Sequence, residues 1–122
     1  MKILETSNAP GAMGPYTQGL QVNGFIFTSG QIPVDPASGR VPKGIAAQAE
    51  QSCKNVGAIL ECAGVGFANV VKTTCFLADM GDFTAFNEVY ARYFTSKPAR
   101  SCVAVKELPK NVLCEIEAIA EL

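Results

Sequence analysis

No histidine occurs among the 122 residues. That absence removes imidazole general bases, the serine and cysteine triads that depend on histidine, and the commonest zinc ligand. Acid-base chemistry is left to carboxylates, tyrosine, cysteine, lysine or bound water. The five cysteines (53, 62, 75, 102 and 114) form no C-x-x-C pair, and their odd number suits reduced thiols in a cytosolic core better than a disulfide framework. On a helix Cys53 and Cys62 would lie roughly half a turn out of phase, so they cannot share a metal; no metal site is expected. Excess positive charge is also missing. Ten lysines and arginines face eleven acidic residues, for a net charge of -1, which leaves no electrostatic footprint for a phosphate backbone. No nucleic-acid partner is expected. No run approaches the ~20 apolar residues of a membrane span. The opening "MKILETSNAP" carries charges at positions 2 and 5 with no apolar stretch between them, so it does not read as a signal peptide. The expected location is the cytoplasm, with no membrane partner.

What is present suits one domain over residues 1–122. The chain is 48% hydrophobic and 17% charged, with 11 glycines and 7 prolines to punctuate short elements, and without linker, repeat or low-complexity segment. A chain this short gains from oligomerisation, which covers apolar surface a single small core cannot. "YTQGLQVNGFIFTSGQIP" reads as a hairpin closed by Asn23-Gly24, the preferred pair for a type I′ turn. Two-residue closure pairs Val22 with Phe25 and Leu20 with Phe27, then sets Gln18 beside Ser29 and Tyr16 beside Gln31. Residues 45–63 carry Ala49, Cys53, Val56, Leu60 and Ala63 at helical spacing, with Glu50, Lys54 and Glu61 opposite and Gly64 at the end. "VVKTTCFLA" follows as a β-branched strand over 70–78. Asp79 or Asp82 then caps a second helix with the stripe Phe83, Phe86, Tyr90 and Tyr93, read as core.

Strands over 100–107 and 112–121, joined around Leu108-Pro109-Lys110-Asn111, read as a terminal hairpin. With a four-residue connection, Ala104 faces Glu115 and Cys102 faces Glu117. Arg100, Cys102, Ala104, Glu115 and Glu117 then share one face, opposite Val103, Val105, Cys114, Ile116 and Ala118. A guanidinium cannot lose its proton, so a half-buried one needs a carboxylate from the chain or from a ligand. Arg100 and Glu117 could form an ordinary cross-strand ion pair, contributing under about 1 kcal/mol at a surface. The functional alternative is a cleft in which Arg100 clamps a ligand carboxylate and a glutamate positions water. Strand pattern alone leaves both open.

"GPYTQG", "TSGQIPVDPASG", "VVKTTCFLADMGDF", "FNEVYARYF" and "PARSCVAVKELPKNVLCEIEAIA", in this order over nearly the whole chain, resemble the RidA/YjgF family of reactive-intermediate imine deaminases. The resemblance implies an α+β, chorismate-mutase-like fold, a mixed β-sheet covered on one face by two helices, assembled as a homotrimer with clefts between subunits. It implies hydrolysis of 2-imino acids and their enamines, such as 2-aminoacrylate (the enamine of 2-iminopropanoate) and 2-iminobutanoate, to 2-oxo acids and ammonia without a cofactor. By the same resemblance Arg100 holds the substrate carboxylate and Glu115 activates the water. Tyr16, Ser29, the backbone at Gly30 and the main chain at Cys102 complete the pocket, and Asn87 approaches the cleft of a neighbouring subunit. A Cys102 nucleophile is not expected without a base to activate it. The segment "TSKP" before Ala99 is shorter than in many relatives, which bears on the cleft rim. A non-catalytic binder of 2-oxo acids and an RNA-directed role are the competing functions.

Overall fold

The computed structural model describes residues 1–122. Asn23 and Gly24 both take the left-handed backbone conformation their turn requires (φ 50 and 79), and the strands they join, β2 (Gly19–Val22) and β3 (Phe25–Thr28), pair Val22 with Phe25 and Leu20 with Phe27 as expected. The ladder ends at Gly19 and Thr28. Beyond it the Ser29 N–H still donates to Gln18 O, but Gln31 leaves the hairpin to bridge Ile116, so Tyr16 and Gln31 are not partners. A strand not expected from the sequence, β1 (Lys2–Leu4), lies along β2.

Helix α1 (Ile45–Cys62) buries Ala49, Cys53, Val56, Ile59 and Leu60 against the sheet, while Gly64 turns the chain out at φ 81. Its buried face also carries Asn55 and Gln48, which the apolar stripe did not reveal. The Asn55 amide donates to Ile32 O (3.1 Å) and Val34 O (2.9 Å), and Gln48 accepts from Leu113 N–H (2.8 Å). These bonds satisfy backbone groups that leave the ladders near the helix. Strand β4 (Val70–Leu77) leads through a 3-10 turn, in which Asp79 Oδ1 accepts from Gly81 N–H (2.7 Å), into helix α2 (Phe83–Tyr93). Asp82 makes no capping bond. Phe86, Val89 and Tyr90 face inward, and Tyr93 lies half-buried with its hydroxyl donating to Glu50 (2.9 Å).

The terminal hairpin does not form. Strands β5 (Ala99–Ala104) and β6 (Cys114–Glu121) are separated by β4, in the sheet order β1-β2-β3-β6-β4-β5. β5 runs parallel to β4 at the sheet edge, reached through α2, whereas β6 lies antiparallel between β3 and β4. A parallel neighbour requires such a crossover. The link between β5 and β6 is a longer excursion in which Lys110 and Asn111 take positive φ.

This order resets the faces. Arg100 aligns with Thr73 and, through it, with Ala118; Cys102 aligns with Cys75 and Ile116. Arg100 and Cys102 therefore point to the helix side, with the core residues Cys75, Leu77, Cys114, Ile116 and Ala118. Val103 aligns with Phe76 and Glu115 on the other side, together with Ser101, Thr74 and Glu117. The expected grouping of Arg100 with Glu115 is thus overturned, as is the placing of Val103 in the core. The side away from the helices also presents Ile3, Phe25, Phe27 and Val103, each at least 41% exposed. It is an apolar sheet surface that one copy of the chain leaves uncovered.

Candidate active site

Arg100 projects from the edge strand toward α2. Its Nη1 donates to Asn87 Oδ1 (2.7 Å), and its guanidinium carbon lies 4.7 Å from the centre of the Tyr90 ring and 5.6 Å from that of Phe83. Phe83, Asn87 and Tyr90 recur at i, i+4 and i+7, one face of the helix. The cation is thus held by a neutral amide and two aromatic faces, while Glu115 and Glu117, the acids the sequence offered as partners, lie on the far side of the sheet. A cavity of about 510 Å³ adjoins it, lined in part by Asn87, Tyr90, Phe94, Lys97 and Arg100. Cys102 is half-buried on the same side. Burial raises its thiol pKa, with the nearby Arg100 charge opposing the rise, so the thiolate that covalent attack would need is disfavoured.

Glu115 occupies the opposite face, half-buried beside Gly30. A Cβ on Gly30 would come within 2.9 Å of the Glu115 Cδ and closer still to the carboxylate oxygen, so only glycine leaves room for this carboxylate at this point. Burial raises the Glu115 pKa first, and the like charge of Glu117 two residues along the strand raises it further. A cavity of about 300 Å³ here is lined by Met13, Tyr16, Ser29, Gly30, Pro109 and Glu115, among others. The Tyr16 ring is 46% exposed, and its hydroxyl oxygen accepts from Met13 N–H (3.2 Å). Ser29 Oγ donates to Thr17 O (2.5 Å), which ties its hydroxyl to the hairpin.

The candidate residues therefore fall into two groups. Asn87, Arg100 and Cys102 gather at the helix-side edge; Tyr16, Ser29, Gly30 and Glu115 gather on the open face. Asn87 accepts a hydrogen bond from the Arg100 of its own chain, so it stands at the arginine edge. Sequence reasoning assigned Phe83 and Tyr90 to the core and did not single out Thr73. The two rings flank the guanidinium and Thr73 meets the Tyr90 hydroxyl; the i, i+4, i+7 spacing about Asn87 was the available signal for the rings.

The family described as Endoribonuclease L-PSP matches residues 6–122. The 2-iminobutanoate/2-iminopropanoate deaminase of Escherichia coli (strain K12) is 53% identical over 123 residues, covering 98% of this chain and 96% of that protein. A RutC family protein of Pasteurella multocida is 54% identical over 124 residues, with the same coverage. Among solved structures, Escherichia coli TdcF with bound serine superposes with a TM-score of 0.97 at 48% identity, covering 100% of this chain and 99% of that one.

Proposed function

The chain belongs to the Endoribonuclease L-PSP (YjgF/RidA) family, and from that premise we propose that it hydrolyses reactive 2-imino acids and their enamine tautomers, including 2-aminoacrylate and 2-iminobutanoate, to 2-oxo acids and ammonia. The observation that carries this reading is the Arg100 guanidinium, partly buried yet neutralised by no carboxylate, with an amide and two rings fixing it beside a cavity. Such a group is complementary to a planar carboxylate, which it can grip through two charge-assisted hydrogen bonds. A relative that binds serine, an α-amino acid, and another named for 2-imino acids support a ligand of this class.

A protonated imine is already electrophilic at C2, so the enzyme must orient it, place a water and move protons. Glu115, its proton affinity raised by burial, takes a proton from the water as the new oxygen–C2 bond forms. The tetrahedral adduct then collapses. Glu115 returns its proton to the nitrogen, the C2–N bond breaks as the carbonyl forms, the hydroxyl proton passes to the departing ammonia to give ammonium, and the 2-oxo acid remains. Nothing in this sequence is oxidised or reduced, so no cofactor is called for.

Because Arg100 and Glu115 lie on opposite faces of one sheet, the reading joins the arginine edge of one subunit to the glutamate pocket of its neighbour in a homotrimer. The exposed apolar surface around Phe25, Phe27 and Val103 supports such an assembly. Against an RNA-directed role stands the net charge of -1. The test is to generate imines of several amino acids with an oxidase and trap the survivors with semicarbazide. The protein should reduce trapping, and Glu115→Gln should be severely slowed. If no imine is consumed while 2-oxobutanoate still binds on titration, the protein is a metabolite binder.

A further inference from the structure

The arginine is held by more than its hydrogen bond to Asn87. Its cation lies over the ring of Tyr90, and that ring is itself immobilised on two sides. Behind it Phe94 stacks at 4.4 Å with planes inclined by 20°, and at its tip the hydroxyl meets Thr73 Oγ1 at 2.6 Å. Thr73 is 1% exposed and stands directly beside Arg100 in the β4–β5 ladder. One pair of aligned residues thus sets both the origin of the guanidinium and the anchor of the ring beneath it. A core needing only volume here would be served by phenylalanine and valine. Burying two hydroxyls costs free energy unless they bond to each other, so their pairing marks a demand for orientation as well as filling.

We propose that Tyr90, anchored through Thr73, is the positioning residue that presents the Arg100 guanidinium to a ligand carboxylate. A ring face stabilises the cation without taking any of its five N–H donors and without bringing a competing acid. Asn87 accepts from Nη1, and the donors it leaves stay free for a planar acid group. Arginine alone is a long side chain with many rotamers; on this support much of that freedom is removed before the ligand arrives, which strengthens binding. The inference rests on the reading that Arg100 receives the carboxylate, and the experiment separates the two.

The test is a thermodynamic cycle on the assembled protein, with 2-oxobutanoate as the calorimetric probe. Wild type is compared with Tyr90→Leu, Arg100→Ala, the double variant and Tyr90→Phe. Tyr90→Leu should weaken binding about tenfold, the range expected for a desolvated cation–ring contact. In the Arg100→Ala background the same change should do almost nothing, since a positioning effect vanishes with the group positioned. Tyr90→Phe keeps the ring face but loses the Thr73 anchor, so it should fall between wild type and Tyr90→Leu, about threefold weaker than wild type. Additive effects in the cycle, or a phenylalanine variant as weak as the leucine one, overturn the proposal. Unchanged binding by Arg100→Ala overturns the carboxylate reading instead. If Tyr90→Leu does not fold, the Arg100 Nε–H resonance of the wild-type protein decides: displaced by the ring current it supports the proposal, and undisplaced it refutes it.

Discussion

The two ends of the candidate chemistry treat charge in opposite ways. At the sheet edge Arg100 keeps a permanent charge, supported by ring faces and an amide that leave it able to accept a counter-ion. On the open face Glu115 is pressed against glycine backbone beside a second carboxylate, so its ionised form is costly and its hold on a proton is strengthened. On the proposed reading one region binds and the other exchanges a proton. The sheet lies between them, so that reading needs a second copy of the chain to bring the two together.

Removing the cation should have the largest effect. Arg100→Ala forfeits two charge-assisted hydrogen bonds and should lower kcat/KM for imine hydrolysis by about 10²–10⁴-fold. If the two regions meet only between subunits, unfolding and reassembling Arg100→Ala with Glu115→Gln in equal amounts should restore about a quarter of wild-type activity, since a quarter of the random pairings hold one intact residue of each kind. No recovery would place both residues' work within single chains. On the glutamate side, Gly30→Ala puts a methyl where the carboxylate lies, and the displacement should cost about 10²-fold in kcat with the sedimentation behaviour of the wild type unchanged.

The smallest change concerns pH. A base acts only when ionised, so with the Glu115 pKa raised above its ordinary 4.5 the acidic limb of the kcat profile should lie above the ordinary glutamate range. Glu117→Gln removes the like charge and should move that limb to lower pH, leaving the plateau nearly unchanged. Stability follows the same sign. A carboxyl whose pKa is raised by folding favours the fold most at low pH, below the unfolded value, and that contribution is lost as pH rises through the folded pKa. Glu117→Gln should therefore gain stability in urea titrations at neutral pH and gain none in acid.

Local chemistry was legible wherever neighbours in sequence are neighbours in space. The Asn23-Gly24 turn, the register of its strands and most of the apolar stripe of α1 required nothing beyond spacing and turn residues. On α2 Phe86 and Tyr90 are buried as expected, but Val89 joins them while Phe83 and Tyr93 stay half-buried. The terminal hairpin was misread because a four-residue connector between two alternating strands looks the same whether the strands pair or part. Successive strands are adjacent only about two-thirds of the time. The candidate residues themselves came from the resemblance of five blocks to a known family, but their division into two groups did not.

The sequence by itself determined which side chains are available: a histidine-free chain, an arginine ahead of an apolar strand, a glutamate pair and a glycine before Gln31. Only the tertiary structure decided which of them share a face. Alternation along a strand sets every second side chain on the same side, but which side that is relative to another strand depends on whose hydrogen bonds it takes. For β5 those partners lie in β4, across the whole of α2.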